Sequence, residues 1–240
     1  MAVFRRILLK LSGEALAGKQ GLGFDPEAVD TICAQIKAVS DDGVQIAIVV
    51  GGGNIFRGLR ASAEGMDRTT ADSMGMLATS INGLALADAF EHQGLSARHM
   101  SALPVAGLVE PFVRRDAVRY LEEGNIVVFS GGTGNPYFST DTAASLRAAQ
   151  VDADVILKGT KVDGVYPGDP VQFPSLKKFD TISFSEVLER DLAVMDATAI
   201  AMSRDNNIPI IVFNLTREGD LLKVVNGESI GTIVKEEGHG

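Results

Sequence analysis

Hydrophobic residues in this chain fall into short, nearly unbroken runs, separated by segments in which they recur every three or four positions. The runs at 7–11, 45–50, 126–129, 154–157 and 209–213 have the length of strands, and apolarity on successive residues predicts strands covered on both faces. Weaker strand-like runs stand at 95–100 and 230–235. Asp25-Pro26 supplies an N-cap and a proline at the first helical position. Val29, Ile32, Cys33, Ile36 and Val39 then keep helical spacing until Asp41-Asp42-Gly43 ends the helix. Residues 69–93 have the spacing of a long helix, with Met74, Leu77, Ala78, Ile81, Leu84 and Ala85 on one side. Further helices are predicted over 114–123, over 141–149, from the capping box Ser183-x-x-Glu186 through Glu189, and over 196–206 and 218–225. Strands alternating with helices predict an α/β fold, a three-layer αβα sandwich around a mostly parallel sheet.

Polar residues gather where the strands end. The run 126–129 leads into GGTGNPYFSTD at 131–141, where glycines free the backbone and Ser139 or Thr140 can cap the next helix. Strand, glycine-rich turn and hydroxyl-rich helix start form a phosphate cradle, because a helix N-terminus carries unpaired donors and partial positive charge. One such turn is most often an ordinary connection. Similar turns follow strands at Leu11-Ser12-Gly13 and Gly51-Gly52-Gly53, and together they favour phosphate. Lys10 and Lys158 each close an apolar strand, where a lysine is expensive to bury without a partner, and Arg57 stands between glycines. Asp72 and Asp141 lie in first helical turns, where a carboxylate is worth about 0.3–1 kcal/mol through the helix dipole alone. A dinucleotide fingerprint fails at Phe56, and no Walker A sequence is present.

Composition narrows the function. With 240 residues, 45% hydrophobic and 22% charged, the chain can form one large α/β domain or two closely joined lobes. A net charge of −9 argues against a nucleic-acid binder with a basic surface but leaves room for small anions held by local amides and cations. Cys33 sits in an apolar helical stripe and reads as a small buried hydrophobe, which suits a reducing cytoplasm. His92, His99 and His239 have no metal-ligand spacing, so no protein-only metal site is expected. Lys10 and Glu14 interrupt what would otherwise resemble a secretion signal, and no run reaches the roughly 20 apolar residues of a membrane helix. No Ser/His/Asp order and no Cys/His pair is present. Cations, glycine turns and a carboxylate at a helix start fit phosphoryl transfer, where catalysis is mainly positioning and charge neutralisation. A phosphate acceptor, with a second pKa of about 6, would need no base.

The segments KLSGE (10–14), GGGNIFRG (51–58), ADSMGMLAT (71–79), TGNPYFSTDTAA (133–144) and LKGTKVDGVY (157–166) span the chain in order. In them the sequence resembles the amino acid kinase family and, within it, the bacterial-type UMP kinases. That resemblance implies transfer of a phosphoryl group from ATP to UMP, giving UDP for pyrimidine nucleotide synthesis, with Mg2+ carried on the ATP phosphates. It implies a single domain over 1–240, with about 1–150 on the acceptor side and 151–240 on the ATP side. Carried over by motif, Lys10, Arg57 and Asp141 would be catalytic. Lys10, Leu11, Ser12, Gly13, Gly53 and Arg57 would hold the ATP or reacting phosphates, with Thr160, Tyr166 and Asp169 at adenosine. Gly52, Asp72, Thr133, Gly134, Asn135, Pro136, Tyr137, Phe138, Ser139 and Thr140 would bind UMP, Asp72 on the ribose. Gly18, Lys19, Gln20, Gly21, Leu22 and Gly23 match a segment linked to the GTP response. The family implies a cytoplasmic homohexamer activated by GTP and inhibited by UTP, with neither nucleic-acid nor membrane partners.

Two other readings are compatible with the fold. A kinase acting on a carboxylate or carbamate would not need Asp72 and the 133–140 loop as sugar partners. A non-catalytic oxyanion-binding module would not need Lys10, Arg57 and Asp141 together.

Overall fold

The computed structural model describes residues 2–58, 62, 65–170 and 172–236; His239 lies outside them. In chain order the strands are β1 (Arg6–Leu11), β2 (Gln45–Val50), β3 (Ala97–Ser101), β4 (Glu110–Pro111), β5 (Ile126–Ser130), β6 (Val155–Thr160), β7 (Thr181–Ile182), β8 (Ile210–Asn214) and β9 (Thr232–Val234). The helices among the described residues are α1 (Gly13–Leu16), α2 (Pro26–Asp41), α3 (Arg68–His92), α4 (Arg114–Glu122), α5 (Thr140–Gln150), α6 (Phe184–Glu189), α7 (Ala197–Asp205) and α8 (Asp220–Val225).

The strands form one sheet in the order β4-β3-β5-β2-β1-β6-β8-β9-β7. All its pairings are parallel except β8 with β9. The mostly parallel αβα architecture expected from the alternating pattern is present. β4 and β7, two residues each, are too short to leave a hydrophobic signature. Ser12-Gly13-Glu14, expected as a plain turn, instead begins α1, with Ser12 Oγ accepting from Ala15 N at 3.3 Å.

Alternation along β1 sorts the two cores. Ile7, Leu9 and Leu11 pack with Ile32, Ile36, Leu86, Phe90 and Leu221 of α2, α3 and α8. Leu8 packs on the other face with Ala143, Ala144 and Ala148 of α5. Lys10 shares the parity of Leu8 and therefore emerges toward α5.

Helix α3 departs from a simple amphipathic helix. Met74, Leu77, Ile81 and Leu84 are 40%, 50%, 49% and 39% exposed, so the apolar side read from the sequence faces outward, apart from buried Ala78. The buried side carries Thr79, Ser80, Asn82 and Gly83 beside Ala71, Leu86 and Phe90. Its polar groups hold strand ends. Thr79 Oγ1 accepts from Gly131 N at 2.7 Å, Asn82 Nδ2 donates to Gly51 O at 2.6 Å, and Asn82 and Asn54 exchange amide bonds. Gly83 is required for the approach of His99, since a Cβ there would lie 2.2 Å from His99 Nε2.

His99 is buried, with Nε2 2.8 Å from Ser130 Oγ, and burial lowers its pKa from 6.5 to about 4. Between these values the unfolded chain binds the proton and the folded chain does not. The stability contribution is therefore complete above the unfolded pKa and lost as pH falls toward the folded one, by up to about 3 kcal/mol. Denaturant unfolding between pH 7 and pH 4 should show this decline, and His99→Gln should flatten it. An unchanged slope in the variant would place the titration elsewhere.

Candidate active site

The carboxyl ends of β1, β2, β5 and β6 lie side by side at the middle of the sheet, the position where parallel α/β sheets bind ligands. Lys10 of β1 and Lys158 of β6 are register partners, so their side chains rise on the same face. Asp141, in the first turn of α5, meets both: its Oδ1 is 2.6 Å from Lys10 Nζ and its Oδ2 2.9 Å from Lys158 Nζ. Lys158 also donates to Val194 O. All three side chains are largely buried. Burial alone would raise the Asp141 pKa, but the charges of Lys10 and Lys158 outweigh it and hold the carboxyl below its usual range. Burial lowers the Lys158 pKa, against the pull of Asp141. Formally the trio carries one positive charge in excess.

Glycine turns bring backbone close to this cluster. A Cβ on Gly13 would lie 2.2 Å from Asn54 Oδ1 and 2.9 Å from Gly53 N, so β1 and β2 can end together only with glycine there. Gly51 N donates to Leu11 O at 2.8 Å. Gly131, Gly132 and Gly134 all have positive φ, and Tyr137 adopts φ 71, an uncommon conformation for a non-glycine residue. Tyr137 is held by its N–H to Asp72 Oδ2 at 2.8 Å, and Arg68 Nε donates to the same oxygen at 2.8 Å. Ser139 caps α5 by accepting from Asp141 N and Thr142 N.

Two cavities are lined by chain neighbours of the trio, though by none of its three residues. The first, about 340 Å³, is lined by Gly52, Gly53, Asp72, Gly132, Tyr137, Phe138, Ser139 and Thr140, together with Arg68 and Asp196. The second, about 580 Å³, is lined by Ser12, Glu14, Gly159, Thr160 and Leu215, and by Gly18, Lys19 and Gly21. Thr140 precedes Asp141, Gly159 follows Lys158, and Ser12 stands two residues beyond Lys10, so chain neighbours of the trio line both cavities. Arg57 is half exposed; its Nε donates to Gly53 O at 3.2 Å and its Nη2 pairs with Glu14.

Not every residue expected at the site lines a cavity; Lys10, Gly13, Arg57 and Asp141 line neither. Leu11 is fully buried in the core, so only its backbone is available. Thr133, Gly134, Asn135 and Pro136 do not line the first cavity, and Tyr166 and Asp169 do not line the second; the Tyr166 hydroxyl donates to Asp163. Gly18, Lys19 and Gly21, expected to answer GTP, share a wall with Ser12 and Thr160. Cys33 is buried, with its pKa raised to about 12 by burial and by Asp30, which leaves no thiolate nucleophile. Among the described residues no group of three His, Cys, Asp or Glu is disposed to hold a metal.

Sequence reasoning overlooked Asp196 and Arg68. Asp196 caps α7 through Ala199 N at 3.0 Å, accepts from Thr142 Oγ1 at 2.8 Å and accepts from Ser139 Oγ. It thereby ties the turn after β5 to α7, although its position signalled only the start of a helix. Arg68 precedes Asp72 by four residues, a spacing that pairs charges on a helix and was a readable signal.

A model of the amino acid kinase family matches residues 5–214. The chain belongs to the amino acid kinase family. Among solved structures, a UMP kinase from Bacillus anthracis is similar at TM-score 0.95 and 37% identity over 98% of this chain and 97% of that one. A UMP kinase from Ureaplasma parvum is similar at TM-score 0.91 and 38% identity over 97% and 99%. A uridylate kinase from Archaeoglobus fulgidus is similar at TM-score 0.75 and 28% identity over 98% and 100%. The family's phosphoryl chemistry suits a site whose buried centre holds two lysines on one carboxylate.

Asp141→Asn would leave two buried lysines facing each other without a counter-charge. Breaking a buried ion pair from one side costs about 3–5 kcal/mol, well beyond a helix-dipole contribution. Urea unfolding at neutral pH should show a loss of that order. Part of it should return at alkaline pH as Lys158, whose pKa is already lowered, gives up its proton. A loss of a few tenths of a kcal/mol would reduce Asp141 to a dipole residue.

Proposed function

We propose that this chain is a UMP kinase, transferring the γ-phosphoryl group of ATP to UMP to give UDP and ADP in pyrimidine nucleotide synthesis. The observation that carries the proposal is the buried Lys10–Asp141–Lys158 trio, whose chain neighbours line two cavities, in a family member similar to UMP kinases over nearly its whole length. In this reading UMP occupies the cavity with Asp72, Gly52 and the 137–140 segment, and ATP occupies the one with Ser12 and Thr160.

Chemistry follows from the arrangement. The acceptor phosphate is largely ionised at neutral pH, so the site needs no general base. Asp141 holds the two lysines in fixed directions, and their remaining N–H groups face the charge that spreads over the transferred phosphoryl group. Arg57 exchanges Glu14 for a phosphate, and the turn amides at Gly52 and Gly53 complete the cradle. Mg2+ bound with ATP would supply charge neutralisation across the phosphates, and Asp141 is the buried carboxylate that would hold it. Loss of one such donor costs about 10²–10³ in kcat.

The same reading carries a cytoplasmic homohexamer activated by GTP and inhibited by UTP. No helix among the described residues is long and apolar enough to cross a membrane. An oligomer finds support in α3, whose exposed Met74, Leu77, Ile81 and Leu84 repeat at the spacing of a helix–helix seam. The placement of Gly18, Lys19 and Gly21 favours a donor-side role for that loop over a separate effector site.

ADP release measured across UMP, CMP, dUMP, aspartate and acetylglutamate should show clear preference for UMP; comparable turnover of CMP, or activity only on an amino acid, would sink the reading. Lys10→Ala and Arg57→Ala should lower kcat by about 10²–10³ at saturating substrate. Leu77→Glu with Ile81→Glu should reduce the solution mass seen by light scattering; an unchanged mass would clear α3 of the interface.

A further inference from the structure

Arg147, on α5, takes no part in the chemistry above. It is only 4% exposed, and no carboxylate among the described residues pairs with it. Of the five N–H donors of a guanidinium, one goes from Nη1 to Gln150 Oε1 at 2.5 Å and one from Nη2 to Gly132 O at a long 3.4 Å. Its Nε has no partner. The guanidinium carbon lies 3.9 Å from the centroid of Phe112, whose ring is itself wedged edge-on against Phe129. Burial lowers the Arg147 pKa to about 10, which still leaves it charged at neutral pH. A buried cation with most of its donors idle and no counter-charge is costly unless an anion joins it.

A cavity of about 320 Å³ opens beside it, lined by Arg147, Ser101 and Thr133 with Pro104, Pro111 and Phe112, and by no acidic residue. Ser101 and Pro111 close β3 and β4, and Thr133 follows β5, so the cavity too lies at carboxyl ends of parallel strands. Ser101 Oγ accepts from Leu103 N at 3.1 Å, which leaves its hydroxyl hydrogen free to donate. The Thr133 hydroxyl already donates to Asn135 O and accepts from Asn135 N, both at 3.2 Å, so the donors at hand are the guanidinium fork and the Ser101 hydroxyl, which together suit the several oxygens of a tetrahedral oxyanion.

We propose that this cavity is an oxyanion site for a phosphate group, held by Arg147 with Ser101 and coupled to the acceptor cavity through the carbonyl of Gly132. Gly132 lines the acceptor cavity and Thr133 lines this one, so the turn between β5 and α5 is a wall common to both. A phosphate that takes the Nη2 donor from Gly132 O frees that carbonyl and alters the turn that shapes the acceptor cavity. The coupling rests on the acceptor assignment above; the binding does not.

The test uses the wild-type protein saturated with UMP and a non-hydrolysable ATP analogue, which closes the main site to added phosphate. The Nε–Hε resonance of Arg147, assigned by its disappearance in Arg147→Lys, is followed while orthophosphate, glycerol 3-phosphate or acetate is added. Orthophosphate should shift the resonance saturably and acetate should not. A response to glycerol 3-phosphate would identify a monoester headgroup as the source, and its absence would identify the free ion. Phosphate binding, read for the variants by 31P line broadening of orthophosphate under the same saturation, should weaken about tenfold or more in Arg147→Gln and less in Ser101→Ala. No saturable shift at millimolar phosphate, or equal binding by Arg147→Gln, overturns the site. So does a resonance that moves with protein concentration instead, which would assign the guanidinium to a carboxylate of a second copy. Phosphate should also change the KM for UMP in the wild type more than in Arg147→Gln. Failure of that arm alone, with binding intact, removes the coupling and leaves the site.

Discussion

Everything at the centre of this protein depends on one carboxylate being shared by two lysines. Lys10 and Lys158 come from adjacent strands in register, and without Asp141 they would place two like charges side by side in a buried space. With it, the excess is a single positive charge whose unused donors already have fixed directions. That is the condition for electrostatic stabilisation without reorganisation at the moment of reaction. The cost of burying three ionised groups is offset by their mutual attraction only while the geometry holds. The surrounding structure is correspondingly over-determined: core strands set the lysines, and a Ser139-capped helix sets the carboxylate.

Much of this was legible before any coordinates. Unbroken apolar runs marked the central strands, and a lysine closing such a run is an anomaly that asks for a partner. Pattern could not supply register, which turns two anomalies far apart in the chain into one site. Asp141 likewise read as a first-turn acid, because nothing local tells that a residue of α5 lies over β1 and β6. Tyr166 and Asp169, expected at adenosine, sit in irregular chain after β6, where neither spacing nor alternation fixes direction.

Helix α3 shows a different limit. Hydrophobic periodicity assumes that the buried face of a helix is its greasier one. Here the buried face must hold the backbone of two glycine turns, and backbone amides and carbonyls require polar partners. Thr79 and Asn82 meet that need at Gly131 and Gly51, while Gly83 makes room for His99. The greasier side is left outward, which is the composition expected of a surface awaiting another helix.

The two cavities are then built on different terms. Around the first cavity the turn after β5 is held from α3, at Gly131 by Thr79 and at Tyr137 by Asp72, and Tyr137 keeps a φ of 71 that is uncommon for a non-glycine residue. Strain of this kind persists only where surrounding contacts enforce it, and it shapes a wall closely. Around the second cavity Ser12 and Thr160 lie at ordinary strand ends, and the remaining wall comes from a loop rich in glycine. A rigid wall suits discrimination among ligands that differ by a single group. On the proposed assignment acceptor selectivity rests mainly on the turn after β5, which Asp196, bonded to both Ser139 and Thr142, ties to α7.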